Sequence, residues 1–550
     1  MGLARARDAV VVGAGHNGLV CAASLARRGL DVLVLERRTV PGGAAATEEP
    51  WPGYRVSTAS YVVSLMPPGL VSALGLRRFG YRVTVLEPDY YVPYPDGSAL
   101  TLWGDPARTA QEIARFSRAD ADAYPRFDAY LSRLAHLVRE LLFVIPPGFR
   151  LADLPRWAGV ARRLSHWSRA DLVAVARLLT ASAADFLDEW FQDPRVKGAL
   201  ATQGIIGAWA GPMTPGTAYV LLHHWMGEVE GHEGAWGWVH GGMGALGWAL
   251  AEAARASGAE VRTGAGVGRI TVRHGRATGV ELEDGTRVRA RAVISNAHPV
   301  TTLLHLVGQE HLPPETVRDL RRFRSRSGSV KVNLALAELP RFRSWSGPAP
   351  GAPHTGILAI SPSVEYLERA WDDAKHGRMS ERPYIEAVFP TVFEPELAPS
   401  GRHIALLFTQ FGPYRLAEGS WDTARETYLE RVLSTLEEYA PDVAGAVLHA
   451  EVLAPPDLER RFGLVGGNIF HGEMTLDQLF VFRPVPGWGS YRTPVRGLYL
   501  CGAGTHPGGG VMGVPGWNCA RVVWRDVGRG RLLGIRSRWP IVRPPGTRLA

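Results

Sequence analysis

A glycine-rich turn between two short apolar segments restricts the folds open to this chain more than any other feature. Residues 10–12 are three valines, which is typical of a buried parallel strand. The sequence Gly13-Ala14-Gly15-His16-Asn17-Gly18 follows, and a helical pattern of apolar residues then runs to Gly29, where glycine suits a left-handed helix end. Residues 32–35 form a second apolar segment. Strand, turn, helix and strand in this order predict a βαβ unit that binds a dinucleotide.

Each glycine of the turn, and the acid that follows the second strand, has a separate role. Gly13 permits the tight turn, Gly15 lets a pyrophosphate approach the backbone, and Gly18 lets helix and strand pack closely. The helix N-terminus offers unpaired N–H groups to the phosphates. Glu36 can accept hydrogen bonds from ribose hydroxyls, and its charge disfavours the 2′-phosphate of NADP. The candidate contacts in this unit are Gly13, Gly15, His16, Asn17, Gly18, Glu36 and Arg37.

Two loops after this unit are further candidates for ligand contact. Gly42, Gly43 and Ala44 can wrap the backbone around a ribityl-pyrophosphate, although a plain turn is the alternative. Residues 54–64 alternate hydroxyl-bearing with aromatic side chains, among them Ser60 and Tyr61. Such a loop can lie against a flat ring system or simply cross the surface.

The C-terminal part of the chain repeats this strand-to-turn pattern. Residues 497–500 are an apolar strand that leads into a glycine-rich stretch ending at Gly513. Its backbone N–H groups can stabilise negative charge on a reduced flavin ring, so the pattern predicts the closing half of an FAD domain. The contacts predicted here are Gly502, Ala503, Gly510, Val511 and Met512.

The segment 260–296 has repeated β patterns with an Asp-Gly turn and resembles the second nucleotide-domain segment of large flavoproteins. Val267 and Asn296 are its candidate cofactor contacts. Residues 264–268 read Gly-Ala-Gly-Val-Gly, but they lack the last glycine of the fingerprint and lead into a strand. We therefore do not interpret them as a phosphate loop.

Composition excludes several classes of protein. The 550 residues carry a formal charge of +8, but only three basic residues are lysine and no basic block is interleaved with aromatics, so we expect no nucleic-acid partner. Three cysteines without a C-x-x-C pair argue against a redox dithiol and against a metal site. With no signal peptide and no 18-residue apolar run, the chain is expected to be cytoplasmic, with the inner face of the membrane as a second location.

The chain is expected to form two interleaved domains and a tail. A helical insertion is predicted from residue 105 to about residue 192, broken at Pro146-Pro147 and at Pro155, and β patterns with long connections predict a mixed sheet in residues 301–460. The predicted parts are an FAD-binding domain of residues 1–75, 232–300 and 461–527, a substrate domain of residues 76–231 and 301–460, and a basic tail of residues 528–550.

Three blocks together resemble the phytoene-dehydrogenase-like flavoproteins: the fingerprint with Gly42-Gly43, residues 241–299 and residues 466–518. The runs 467–479 and 500–513 are similar to one branch of that family. The resemblance implies an α/β fold, with a Rossmann-like FAD-binding domain of the phytoene desaturase and monoamine oxidase type and an α+β substrate domain. It departs at Gly42-Gly43-Ala44, where many of these enzymes have arginine in place of Ala44.

The resemblance implies an oxidoreductase that removes hydride from an apolar, isoprenoid-like substrate to FAD. His506, His471, Glu473 and Asp477 are the candidates for a base, and a structural hydrogen bond is the alternative for each. Amine oxidation, for which Trp488, Tyr491 and Trp517 could supply aromatic contacts, and redox-neutral isomerisation are alternatives on the same fold. A non-catalytic interaction protein that FAD stabilises is an alternative of another class. Oligomeric state stays open.

Two basic segments could bind a membrane surface. Residues 150–177 contain several arginines and two tryptophans among apolar residues, and the tail after Gly528 is similar. A solvated or packed amphipathic face is the alternative for both. We expect at most weak, salt-sensitive peripheral association.

Overall fold

Strands and helices alternate along residues 6–528, the part of the chain that the computed structural model describes. The strands are β1 (Arg7–Val12), β2 (Val32–Leu35), β3 (Thr47–Trp51), β4 (Tyr54–Ser57), β5 (Val83–Val85), β6 (Tyr90–Pro93), β7 (Ala99–Leu102), β8 (Glu228–Val229), β9 (His232–Glu233), β10 (Gly237–Val239), β11 (Glu260–Arg262), β12 (Val267–Arg273), β13 (Arg276–Leu282), β14 (Arg287–Ser295), β15 (Ser329–Leu336), β16 (Ile357–Ile360), β17 (Tyr384–Val388), β18 (His403–Gln410), β19 (Val447–Leu453) and β20 (Leu498–Leu500).

The helices are α1 (His16–Ala26), α2 (Pro68–Leu74), α3 (Pro106–Ile113), α4 (Arg118–Leu142), α5 (Leu154–Leu164), α6 (Arg169–Thr180), α7 (Ala183–Asp188), α8 (Pro194–Ala201), α9 (Thr217–Trp225), α10 (Met243–Ala256), α11 (Pro314–Arg322), α12 (Ala352–Thr355), α13 (Val364–Lys375), α14 (Trp421–Glu437), α15 (Pro455–Phe462) and α16 (Val514–Val527). A π-helix covers Thr301–Gly308.

The predicted βαβ unit forms the centre of a seven-stranded sheet. Strands β11, β2, β1, β14 and β20 lie side by side and parallel, and β13 and β12 continue antiparallel from the first half of β14. Both faces of β1 are buried. Ala9 and Val11 pack with the cluster that includes α1, and Val10 and Val12 pack on the opposite side. Burial on both faces explains why β1 is continuously apolar rather than alternating.

A second seven-stranded sheet has the order β19-β15-β18-β17-β16-β6-β7 and is antiparallel except at the β16–β6 pair. All eight residues of β15 are buried. Val330 and Val332 share a core with side chains of α14. Because side chains alternate along a strand, Lys331 and Asn333 lie on the opposite face. With Ser329, this face has three buried polar residues, which is unusual in an apolar strand.

The strands of the first sheet come from residues 7–35, 260–295 and 498–500, whereas the second sheet uses residues 90–102 and 329–453. The chain therefore returns to the nucleotide sheet twice, and the α/β fold class predicted from the sequence is confirmed. The domain boundaries drawn from the sequence stay predictions, and residues 529–550 of the predicted tail lie outside the described residues.

The predicted helical insertion corresponds to α3–α7. The chain leaves helical structure after Leu142, around the expected break at Pro146-Pro147, and a short 3-10 helix, Leu151–Asp153, leads into α5. Pro155 lies in the first turn of α5 instead of ending a helix, because that turn needs no N–H from it. Within residues 6–528, no helix combines the length and the hydropathy that membrane crossing requires.

Candidate active site

The turn after β1 has the backbone geometry that its glycines permit. Gly13 has a φ of +93°, in the left-handed region that glycine adopts without strain. A Cβ on Gly18 would lie 2.3 Å from the carbonyl oxygen of Gly13, and one on Gly15 would lie 2.5 Å from Nδ2 of Asn296. The close approach of helix and strand that the sequence predicts at Gly18 is present.

Glu36 is buried just after β2, and both of its carboxylate oxygens accept backbone hydrogen bonds. The N–H of Ala14 donates to Oε2 at 2.7 Å, and the N–H of Arg38 donates to Oε1 at 2.9 Å. Because each carboxylate oxygen has further lone pairs, Glu36 can fix the glycine-rich turn and still accept from a ribose.

A second glycine turn closes against the first. The N–H of Gly42 donates to the carbonyl oxygen of Ala14 at 2.8 Å, and a Cβ on Gly43 would lie 3.2 Å from Cα of Gly15. Both Gly42 and Gly43 have positive φ, +110° and +64°. A side chain at either position would strain the backbone where the two turns meet.

A cavity of about 490 Å³ is lined by both turns and by the second sheet, and its volume is that of a ligand site. Most of the cofactor contacts predicted from the sequence line it, namely Gly13, Gly15, His16, Asn17, Glu36, Arg37, Gly42, Gly43, Ala44, Val267, Asn296, Ala503, Gly510 and Val511. Gly18, Gly502 and Met512 do not. They are buried behind the lining, and a Cβ on Gly502 would lie 2.5 Å from the carbonyl oxygen of Asn296.

Several polar atoms in this lining lack a hydrogen-bond partner within residues 6–528. They include Nε2 of His16, Oδ1 of Asn17, Nδ1 of His471 and Oγ of Ser329. Burial lowers the pKa of His16 to about 3, and His471 contributes to the shift, so the His16 imidazole is neutral at pH 7. Buried polar groups are nearly always paired, and these four are arranged for a polar ligand.

The second sheet contributes a polar row to the same cavity. Lys331, Phe408 and Glu386 are register partners on β15, β18 and β17, and all three line the cavity. The ring of Tyr61 stacks on Phe408 with centroids 6.3 Å apart. Tyr61 donates its hydroxyl to Oε2 of Glu386 at 2.7 Å, and Tyr90 donates to Oε1 at 3.0 Å. Two ionisable side chains thus lie on either side of one aromatic pair.

Burial changes the proton affinity of both ends of this row. It lowers the pKa of Lys331 to about 7, partly offset by Glu451, and it raises the pKa of Glu386 against the opposing effect of its tyrosine hydrogen bonds. Lys331 Nζ lies 2.7 Å from Oδ1 of Asn333 and 5.2 Å from the Tyr61 ring. A lysine that exchanges its proton near neutrality can act as an acid or a base.

Comparison with known proteins agrees with this geometry. Residues 11–68 match the NAD(P)-binding Rossmann-like domain, and residues 199–516, more than half of the chain, match the flavin containing amine oxidoreductases. The chain belongs to the flavin-containing amine oxidoreductase family. It is an FAD-dependent oxidoreductase, because the family is flavin-containing and the fingerprint at Gly13 to Gly18 is of the dinucleotide-binding type.

Two relatives are similar to this chain in sequence, and one solved structure is similar to it in fold. The chain is 43% identical to Pyridine nucleotide-disulfide oxidoreductase domain-containing protein 2 of Rattus norvegicus, with 94% of each chain covered. It is 28% identical to Phytoene desaturase (neurosporene-forming) of Rhodobacter capsulatus, with 92% of each covered. Cyclohexylamine oxidase of Brevibacterium oxydans has the same fold, with a TM-score of 0.56, 18% identity and coverage of 96% and 100%. The predicted resemblance to phytoene-dehydrogenase-like flavoproteins is confirmed.

The two acids proposed as bases in this oxidoreductase bind arginine instead of lining the cavity. Oε1 of Glu473 accepts from Nε of Arg326 at 2.7 Å, and Arg324 reaches both Glu473 and Asp477. Arginine holds the pKa of the Asp477 carboxyl below its usual range. Both acids therefore hold residues 473–477 against residues 324–326 through ion pairs, which favours the structural alternative for each of them.

The two histidine candidates have different positions. His506 is buried outside the cavity lining, with Nε2 at 3.0 Å from the carbonyl oxygen of Leu141 and its ring against Phe480. His471 lines the cavity, and burial lowers its pKa to about 4. His471 therefore stays a candidate contact for cofactor or substrate, whereas His506 joins α4 to the closing turn. Trp488, Tyr491 and Trp517, proposed for amine oxidation, do not line the cavity.

Reasoning from the sequence missed Lys331 and Glu386. The signal for Lys331 is visible in retrospect, since it is one of three lysines in an arginine-rich chain and stands inside the apolar run of β15. Glu386 has the same signature within β17, where all five residues are buried. A charged residue in a fully buried strand is rarely tolerated unless it has a partner or a function.

Proposed function

We propose that this flavoenzyme dehydrogenates a largely apolar, isoprenoid-like substrate, with Lys331 accepting the proton that accompanies loss of the hydride. The observation that carries the proposal is the position of Lys331. It is buried, its pKa is lowered to about 7, and it lines the cavity that contains the dinucleotide fingerprint.

The apolar lining of the cavity supports a substrate with extended hydrocarbon surface. Away from the glycine turns, the wall consists mostly of large apolar side chains, including Leu65, Ile206, Trp236, Ile357, Ile469 and Phe470. Burying hydrocarbon there contributes about 25 cal/mol per Å². The relative from Rhodobacter capsulatus is named a phytoene desaturase, which is consistent with an isoprenoid.

The residues near the two glycine turns are arranged to hold FAD. Glu36 would accept from the adenosine ribose, and the turn that begins at Gly13 would receive the pyrophosphate at the N-terminus of α1. Gly510 and Val511 would lie against the flavin ring. Val511 has a φ of +55°, which is rare for a β-branched residue and is typical of functional loops. Bound FAD supplies the hydride acceptor.

Dehydrogenation of a carbon–carbon bond removes one hydrogen as hydride with two electrons and the neighbouring hydrogen as a proton. In the neutral form Nζ of Lys331 has a free electron pair for that proton, and a new carbon–carbon double bond forms as the C–H bond breaks. Asn333 fixes Nζ on one side. Tyr61 stacks on Phe408 beside it, and Glu386 orients the Tyr61 ring through its hydroxyl.

The lysine also argues against a cationic substrate. An ammonium group bound beside Lys331 would meet a like charge in a buried site whenever the lysine is protonated. Amine oxidation is therefore the less favoured reaction for this cavity.

Anaerobic mixing of the FAD-loaded protein with two substrate panels tests this proposal. One panel contains isoprenoid hydrocarbons of different lengths in detergent, and the other contains aliphatic and aromatic amines. Loss of the oxidised flavin absorbance with an isoprenoid, together with a product carrying one more double bond, is expected. Reduction by amines alone, or by neither panel, would overturn the assignment.

A further inference from the structure

A cluster of large apolar side chains is exposed near the start of α5. Phe149, Leu151 and Leu154 have 60%, 85% and 60% of their surface exposed, and Phe482, also partly exposed, lies against Phe149 with ring centroids 6.2 Å apart. Soluble proteins rarely expose adjacent residues of this size without a partner. We call residues 149–177 together with Phe482 the α5–α6 surface.

This surface carries a strongly one-sided charge. Residues 149–177, which the structure describes throughout, contain two acids, Asp153 and Asp171, and both are buried and bound to arginine. The same stretch contains six arginines, and within the described residues no ion pair joins a carboxylate to four of them, Arg150, Arg162, Arg163 and Arg169. The exposed charge is therefore positive.

The α5–α6 surface is fixed to the body of the protein. The segment before it is anchored by side chains from the closing half of the FAD fold, since Asn518 donates to the carbonyl oxygen of Leu142 at 2.9 Å and Arg521 donates to that of Phe143 at 2.8 Å. In contrast, Val160 is the single buried side chain within α5. Most of the circumference of α5 therefore faces solvent, whereas the segment that leads into α5 is held in place.

We propose that the α5–α6 surface docks on an anionic lipid membrane. Phe149, Leu151 and Leu154 would insert between the lipid headgroups while the arginines of α5 and α6 contact their phosphates, as in helices that lie in a bilayer interface. A second copy of the chain fits less well, because two such surfaces would bring arginines of the same sign together. An oxidoreductase with an apolar substrate would then meet that substrate where it dissolves.

Co-sedimentation of the full-length, FAD-loaded chain with vesicles tests the docking. The vesicles contain phosphatidylcholine alone or with phosphatidylglycerol, at low and at high salt. Binding is expected to vesicles with phosphatidylglycerol, to weaken as salt screens the arginines, and to be much smaller on phosphatidylcholine alone.

Two groups of variants locate the contact. Phe149→Ser/Leu151→Ser/Leu154→Ser removes the apolar cluster, and Arg150→Gln/Arg162→Gln/Arg163→Gln/Arg169→Gln removes the charges. Each is expected to lower vesicle affinity at least about tenfold, since a single arginine near an anionic surface already has a measurable effect. The affected side chains are exposed, so unchanged FAD content and circular dichroism serve to verify folding.

Matched control variants are available on other exposed positions. Leu448→Ser on β19 removes another exposed leucine, and Arg402→Gln removes an exposed arginine. Both are expected to bind as the unchanged protein does. The proposal would be overturned if the chain did not bind vesicles or if all variants kept their binding. It would also be overturned if the serine variants abolished dimerisation while vesicle binding persisted.

Discussion

Replacing Gly18 with alanine tests how the fold builds the cofactor site. The added Cβ would lie 2.3 Å from the carbonyl oxygen of Gly13 and 3.1 Å from Cβ of Asn296, so the first distance is roughly 1 Å shorter than an ordinary contact. The obstacle is a backbone atom of the turn, which cannot rotate away. Either α1 moves outward or the turn opens, and overpacking of this kind costs about 1–3 kcal/mol.

The same displacement should weaken cofactor binding, because the N–H groups at the start of α1 would no longer face the pyrophosphate. We expect FAD affinity to fall by at least about tenfold, which corresponds to about 1.4 kcal/mol. Thermal unfolding and fluorescence titration with FAD measure the two effects. Gly159→Ala on α5 is the matched control, since no atom lies within 4 Å of its added Cβ and alanine stabilises a helix by roughly 0.5–1 kcal/mol over glycine. If Gly18→Ala matched the control in both assays, the packing argument would be wrong.

Three further substitutions test other parts of the site. Glu36→Ala should weaken FAD binding by about 1–3 kcal/mol, because the N–H of Ala14 also loses its acceptor; unchanged titration would contradict the ribose assignment. Gly510→Val should hinder FAD binding and also lower the unfolding temperature, since its φ is +117° and an added Cβ would lie 2.4 Å from Leu65; a fully stable, FAD-saturated variant would show that the turn is misplaced. Arg483 is fully buried and donates to the carbonyl oxygens of Phe470 and four other residues. Lysine has fewer donors and would leave some of these buried carbonyl oxygens without a partner, so Arg483→Lys should destabilise the fold by about 1–3 kcal/mol, and a denaturant curve like that of the parent would refute this role.

How far the sequence predicted the fold depended on whether the determining contacts were local. The βαβ unit was predictable residue by residue, because strand, turn and helix follow one another without a gap. Strand β14 was not, since the sequence indicates only repeated β patterns over residues 260–296. The structure has one strand, Arg287–Ser295, whose first half pairs with β13 and whose second half pairs with β20. A local sequence pattern does not indicate that a strand changes its partner.

Contacts between residues distant in sequence also determine the candidate site. The glycine turns and Glu36 are close in sequence and were found there, whereas Lys331 and Glu386 meet only through the register of β15, β18 and β17. Glu473 looked catalytic because it lies near the closing turn. Its partners Arg324 and Arg326 come from a segment about 150 residues earlier, which the sequence does not indicate.

Lys331 is the proposed proton acceptor, and the pH dependence of flavin reduction measures this role. The neutral amine is the proton acceptor, and burial lowers the pKa of Lys331 to about 7. The rate should therefore rise as pH increases through about 7 and level off above it. Because the folded-state pKa lies below that of lysine in an unfolded chain, the charged form opposes folding most below pH 7, and this penalty decreases as pH rises towards 10.

The measurement is anaerobic stopped-flow reduction of bound FAD across this pH range, for the parent, Lys331→Met and Lys375→Met. Lys375→Met is the control, because it changes an exposed lysine that is paired with Asp372. Lys331→Met should keep its FAD, lose the rise near pH 7 and react about 10²–10⁴-fold more slowly, while Lys375→Met should behave as the parent does. A Lys331→Met variant with the parent's rate and pH profile would show that Lys331 is not the proton acceptor.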